Sequence, residues 1–271
     1  MRLEAQTQIL EASPQTTRMF EDLDKRTLTF ASQLEKRLYE CKTPEALGEF
    51  LVKYDFFNRG FPGGALVLGG KISRATDAFG YEEAEQAGAY LLAGVVDEYM
   101  DRSNWKPTTH CSLRRKLTEV SLQSLCPGIS TEEVFENPAS KKQLKKVMDG
   151  TSKGYRLEGD DSAKTLLEGL GFFLGSETSG AFEFSTLHNY LSAKQPQLVK
   201  TLQDTEEAGG ELYRWVKDHT TLEADHAISA RNAVLSALSS QKELSSEEAV
   251  KAVAKGVNYF FAFGENVLLT R

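Results

Sequence analysis

Apolar positions recur at intervals of three and four over most of the 271-residue chain, the period of amphipathic helices. Phe20, Leu23, Phe30, Leu34 and Leu38 share one face, which predicts a helix over about 19–41 behind a flexible leader of residues 1–18. Thr43 is an N-cap type and Pro44 suits the first helical position, so a second helix opens there and closes near Asn58-Arg59-Gly60. Pro62-Gly63-Gly64 reads as a break and 65–74 as a further helical piece. A long helix over 82–101 must stop before Lys106-Pro107, because proline lacks the amide and restricts the residue before it. The next runs from about 109 to Cys126-Pro127-Gly128, and a shorter one covers 141–149. The polar, glycine-bearing stretch 150–160 reads as a loop. Helices over 162–193, 197–239 (interrupted at Gly209-Gly210) and 245–268 complete the chain, the last opened by Ser245 and Glu248 at capping-box spacing. Strand-like alternation is nearly absent. The pattern therefore predicts an all-α fold, a bundle of about seven helices with residues 19–271 as one domain.

The pattern is most informative where it fails. Across 210–238 the buried side is marked by Leu212, Trp215, Val216, Leu222, Ala230, Ala233 and Val234, yet His219, Glu223 and His226 lie on that side at spacings of four and three. An unpaired carboxylate there would be costly, and two imidazoles with a carboxylate form a cluster that zinc, iron or manganese accepts. Asp225, the rival carboxylate, points away from the stripe. Across 168–191 Glu177 sits amid Leu170, Phe173, Leu174, Ala181, Phe184 and Leu191, whereas Glu183 is the poorer candidate because Ser179, Gly180 and Thr186 around it are small or polar. Glu98 lies one turn below Ala87, Leu91, Gly94 and Val95, and His110 shares a face with Leu113, Leu117 and Val120. Taken singly, a buried histidine is most often a satisfied core residue, and such a glutamate a partner of arginine or lysine. Four segments carrying the same anomaly favour a metal site over a structural network.

Composition narrows the function classes. The net charge of −7 argues against a broad attraction to nucleic acid or anionic membrane. No run of eighteen apolar residues predicts a membrane span, and the N-terminal stretch lacks the apolar region of a secretory signal. Cys41, Cys111 and Cys126 form no CxxC pair, so neither a disulfide framework nor a thiolate zinc site is expected, and a reducing cytoplasm is. Imidazole chemistry must draw on four histidines, His110, His188, His219 and His226. His188 follows Glu177 by eleven residues, about 16 Å along a helix, and reads as structural.

The runs VVDEYMDRSNWKPTTHCSLRRKL, GSETSGAFEFSTL and HTTLEADHA resemble the haem-oxygenase-like diiron oxidases and oxygenases, and FLVKYDFFNRGFPGGALVLGG looks like that family's early helix turning at a Phe-Pro step. The resemblance spans about 19–268. It implies a haem-oxygenase-like bundle holding two ferrous ions, with dioxygen as co-substrate. The ligands it implies are Glu98, His110, Glu177, His219, Glu223 and His226, the three carboxylates being the catalytic groups. Two ferrous ions with three carboxylates and three neutral imidazoles leave a net charge near +1. The implied substrate is a small amine, amino acid or carboxylate, changed by N-oxygenation, carbon–carbon cleavage or desaturation. A pocket arginine or tyrosine would meet it, with Tyr54, Tyr90 and Tyr99 as contributors. An external electron donor and a homodimer are also implied. Glu223 departs from the family, which commonly has aspartate there, and the twelve-residue step from Glu98 to His110, containing Trp105 and Pro107, is long. No histidine precedes His110, which argues against haem, and Cys111 and Cys126 lack the partner pattern of the thiaminase-like branch. Two other readings stay open: a metal-free or single-metal haem-oxygenase-like enzyme, and a helical binding or scaffold protein.

Overall fold

Capping residues set most of the helix starts. In the computed structural model, which describes residues 12–99, 110–207 and 210–270, Ser13 accepts from the Thr16 amide and opens α1 (Pro14–Glu40). Thr43 does the same for α2 (Pro44–Asn58). α3 (Phe61–Arg74), α4 (Thr76–Phe79), α5 (Tyr81–Tyr99) and α6 (His110–Leu125) follow. Ser130 and Asn137 cap α7 (Thr131–Glu136) and α8 (Pro138–Gly154), and Ser162 caps α9 (Ala163–Lys194). Beyond α10 (Pro196–Gln203), the two-residue strands β1 (Glu206–Glu207) and β2 (Gly210–Glu211) pair antiparallel. α11 (Arg214–Ser240) and α12 (Ser246–Gly264) close the chain, with a π-helical turn over Glu265–Leu269. The capping box at Ser245 and Glu248 is present in full. The fold is all-α apart from the short hairpin. Twelve helical segments occur among the described residues, seven of them 16 residues or longer.

Several boundaries differ from expectation, each for a local reason. α1 begins at Pro14, five residues before the expected start at 19, because Ser13 caps it and Thr16 and Met19 are already buried. The rest of the expected leader, 1–11, lies outside the described residues, as does the expected interruption at Lys106-Pro107. Pro62-Gly63-Gly64 does not break the chain. Pro62 stands in the first turn of α3, where a missing amide is harmless, and Gly64 lets the Tyr155 ring lie against the backbone. α8 runs through Gly150 to Gly154, so part of the expected loop is helix. A Cβ at Gly154 would come within 2.4 Å of the Phe172 ring, so these glycines serve packing and not a turn. The short α7 was not expected at all.

α9 is the 32-residue centre of the bundle, packed against α11, α12, α1 and α3, while α5 packs on α3 and α11. Part of the core is an aromatic cluster in which Phe61, Phe172 and Phe260 touch one another and Phe57 touches Phe61 and Phe260. No helix among the described residues is long and apolar enough to cross a membrane.

Candidate metal centre

α5, α6, α9 and α11 bring the six expected side chains together. Their donor atoms fall into two groups, Glu98, His110 and His219 in one and Glu177, Glu223 and His226 in the other, and within each group they lie within 4.8 Å of one another. Glu98 Oε1 is 3.1 Å from both His110 Nδ1 and His219 Nε2. His226 Nδ1 is 3.2 Å from Glu223 Oε2 and 3.5 Å from Glu177 Oε2. Glu223 spans the two groups, since its other oxygen lies 3.9 Å from His219 Nε2.

The local sequence explains the placement. Spacings of four and three put His219, Glu223 and His226 on consecutive turns of one buried face of α11. Gly180 on α9 makes room for the Glu223 carboxyl, because a Cβ there would sit 2.9 Å from it. Gly94 on α5 also faces His226 and Glu177, but a Cβ there would reach only ordinary contact at 3.7 and 3.8 Å. The His219 ring stacks on Phe184 at 4.3 Å, and its Nδ1–H donates to the Trp215 carbonyl. A carbonyl can only accept, so the neutral ring carries its proton on Nδ1 and presents a bare Nε2 to Glu98.

Two acceptors cannot face each other at 3.1 Å without a proton or a cation between them. Without an ion the proton takes that place. Burial works against charge on His219, but Glu98 and Glu223 overcome it and raise its pKa. Burial likewise works against a charged Glu98, yet the His110 and His219 imidazoles hold its carboxyl well below the usual range. Burial, with the Glu223 carboxylate alongside, pushes Glu177 up to about 8. No lysine or arginine among the described residues pairs with any of these three carboxylates. Three acids, one buried and two half-buried, that face imidazoles and no fixed cation suit divalent cations with a taste for oxygen and nitrogen, and deprotonation is what such ions require.

Five of the six, all but His110, border a cavity of about 60 Å³ closed by Phe57, Phe61, Phe173 and Phe260. Tyr54, Tyr90 and Tyr99 are not on its wall. Tyr54 is buried behind Phe184 and Trp215, Tyr90 packs on the core and Tyr99 is exposed. Glu183, ranked below Glu177 from sequence, is buried and does border the cavity, because its small neighbours face α11 and not solvent. Arg114 also borders it, and no pattern in the sequence singled it out. His188 is structural, 3.1 Å from the Tyr213 hydroxyl.

No protein-family model matches the chain, and no curated protein matches it. Among solved structures it is similar to a CADD-like protein of unknown function from Nostoc punctiforme. The two superpose with a TM-score of 0.59 over 95% of this chain and 96% of that one, at 13% identity. They share a fold. At that identity the likeness says nothing further, and the site has to be argued from its own atoms.

Proposed function

We propose that the chain is a haem-oxygenase-like, non-haem diiron oxidase or oxygenase that uses dioxygen on a small amine, amino acid or carboxylate. The observation that carries this reading is the pair of adjoining three-residue groups, joined by Glu223, in which buried and half-buried carboxylates face imidazole nitrogens and no fixed cation. The all-α fold agrees with the sequence resemblance, and it is that resemblance that favours iron over zinc or manganese.

Glu98, His110 and His219 would hold one ion and Glu177, Glu223 and His226 the other. A ferrous pair would supply the Lewis acidity and electrons for dioxygen reduction, with an external donor restoring the reduced state. The chain's own part is positional. The Trp215 carbonyl keeps the His219 proton on Nδ1 and leaves Nε2 free to ligate, and Phe184 pins that ring. Ser176 donates to Glu177 at 3.2 Å and restricts its rotation. The phenylalanine walls exclude bulk water, which strengthens every charge interaction inside.

Anaerobic titration with ferrous iron tests the reading. Two irons per chain are expected in the wild type, with dioxygen consumed on exposure. His226→Ala should lose stoichiometric loading while its helical content stays near wild type. Purified protein that holds no transition metal, and whose melting temperature ignores ferrous iron, would return the chain to the scaffold reading. One iron per chain would make it a single-metal enzyme.

A further inference from the structure

Two buried charges border the cavity without belonging to either metal-binding group. Glu183 on α9 is 3% exposed, and its one hydrogen bond among the described residues comes from the Ser179 hydroxyl. No cation offsets it. Apart from burial, the groups acting on it are Ser179 and the like-charged Glu223. Arg114 on α6 is 2% exposed. Its Nε donates to Asp55 at 2.9 Å, one Nη to the Asn58 carbonyl at 3.0 Å and the other to the Cys111 sulfur at 3.5 Å. A guanidinium has five N–H donors, so two are left over. Asp55 also pairs with the partly exposed Arg59 at 2.7 Å, so one buried carboxylate serves two guanidinium groups. No ion pair joins Arg114 and Glu183 among the described residues.

The same corner holds further unused hydrogen-bonding capacity. Trp215 Nε1 is buried with no hydrogen-bond partner among the described residues, and the Tyr54 hydroxyl, beside Asn58, lies within electrostatic reach of Glu183, Glu223 and Arg114. Val95, Phe57 and Phe173 supply an apolar wall. Glu183 has no cation partner among the described residues, and Arg114 shares its carboxylate and keeps N–H donors to spare; both border a single cavity. A molecule carrying both charges would offset the two at once, where an amine or a carboxylate alone would offset one.

Resting on the reading of this cavity as the substrate pocket of the metal centre, we propose that Arg114 and Glu183 form a subsite for a small zwitterionic amino acid. Arg114 takes its carboxylate through the free guanidinium N–H groups, Glu183 takes its ammonium, and the phenylalanine side of the cavity takes its carbon chain. Both are binding residues; the metal ligands are unchanged.

Calorimetric titration of the full chain, metal-free and iron-loaded, tests this with two series of probes. One runs from L-alanine to L-norleucine and the other from β-alanine to 6-aminohexanoate, so that the spacing of the two charges is read directly. The tightest member is then compared with its matched amine and matched carboxylic acid. The amino acid should bind at least tenfold tighter than either. Glu183→Gln should weaken amino acid and amine by roughly ten- to hundredfold and leave the carboxylic acid unchanged. Arg114→Lys should do the reverse, and should its circular dichroism depart from wild type, the Glu183→Gln result decides alone. Iron is counted in every variant. Glu183→Gln that keeps two irons and loses ammonium preference supports the subsite, while a drop in its iron count would make Glu183 a metal ligand and overturn it. Failure of every probe to saturate wild-type protein also overturns it, even with two irons bound. Binding of the amino acid by a protein that never loads iron would keep the subsite and remove the diiron reading.

Discussion

α9 turns one side to α12 and another to α11, and small residues line both contacts for opposite reasons. Towards α12 the backbones themselves meet. A Cβ on Gly171 would lie 1.9 Å from the Val253 carbonyl oxygen, and one on Gly256 would lie 1.9 Å from that of Glu168. Towards α11 the space beside Gly180 is filled by the end of a side chain, the Glu223 carboxyl. The first contact is dry and closed and serves stability. The second leaves room for polar groups and serves the site. A glycine or serine on a helix face therefore says that something comes close, without saying whether it is backbone or a functional group.

The largest effect should come from the closed side. Gly256→Ala has no flexible neighbour to displace, so about 3 kcal/mol of stability or more should be lost in urea unfolding. A loss below about 1 kcal/mol would mean that the two contacts do not differ in kind. On the open side Gly180→Ala meets only a movable carboxyl. Its stability should stay within about 1 kcal/mol of wild type, while ferrous iron binds about tenfold more weakly because a ligand is displaced. Equal loss of stability in both alanine variants would erase the distinction.

The smaller effects sharpen it through pH. Burial raises Glu177 to about 8 and Glu183 to about 7, above the unfolded value of about 4.3. Such groups contribute stability that is complete below the unfolded pKa and lost as pH rises through the folded one. His219, also raised, adds to the loss above about 6.5. Glu98 is lowered and acts only below about 4.3, where its contribution disappears as the carboxyl protonates. The metal-free protein should therefore melt at progressively lower temperature between about pH 5 and 8, and saturating ferrous iron should flatten the slope. Glu177→Gln should raise the stability of metal-free protein at pH 8 by about 1 kcal/mol while lowering iron affinity. A variant less stable than wild type at that pH would show that the carboxylate is not strained without metal.

The legible parts of the site are those within one helix. His219, Glu223 and His226 could be read as one cluster because a 3.6-residue period alone puts them on one side of α11. Glu98, His110 and Glu177 could each be marked as out of place on a buried face, since a polar side chain among leucines stands out wherever the helix goes. Glu183 was undervalued because the residues that make its face close-packing, Ser179 and Gly180, have the composition of a solvent face. Arg114 is not legible in the sequence because its burial depends on Asp55 and Asn58, 59 and 56 residues away, which bind it. The start of α3 was misplaced because Pro62 and two glycines look the same at a break and in a tightly packed first turn.

By itself the sequence determined the long helices, the caps at Thr43 and Ser245, the faces those helices bury and the six polar residues out of keeping with those faces. These follow from local backbone chemistry and periodicity, which act over a few residues. Only the tertiary structure decided the grouping: Glu98 meets His219 across 121 residues, while Glu177 sits with His226 and Glu223 joins the two sets. It also decided that Arg114 and Glu183 border the same cavity. Pairing among buried charges depends on which helices cross and at what height, and that is set by how the whole bundle closes around α9.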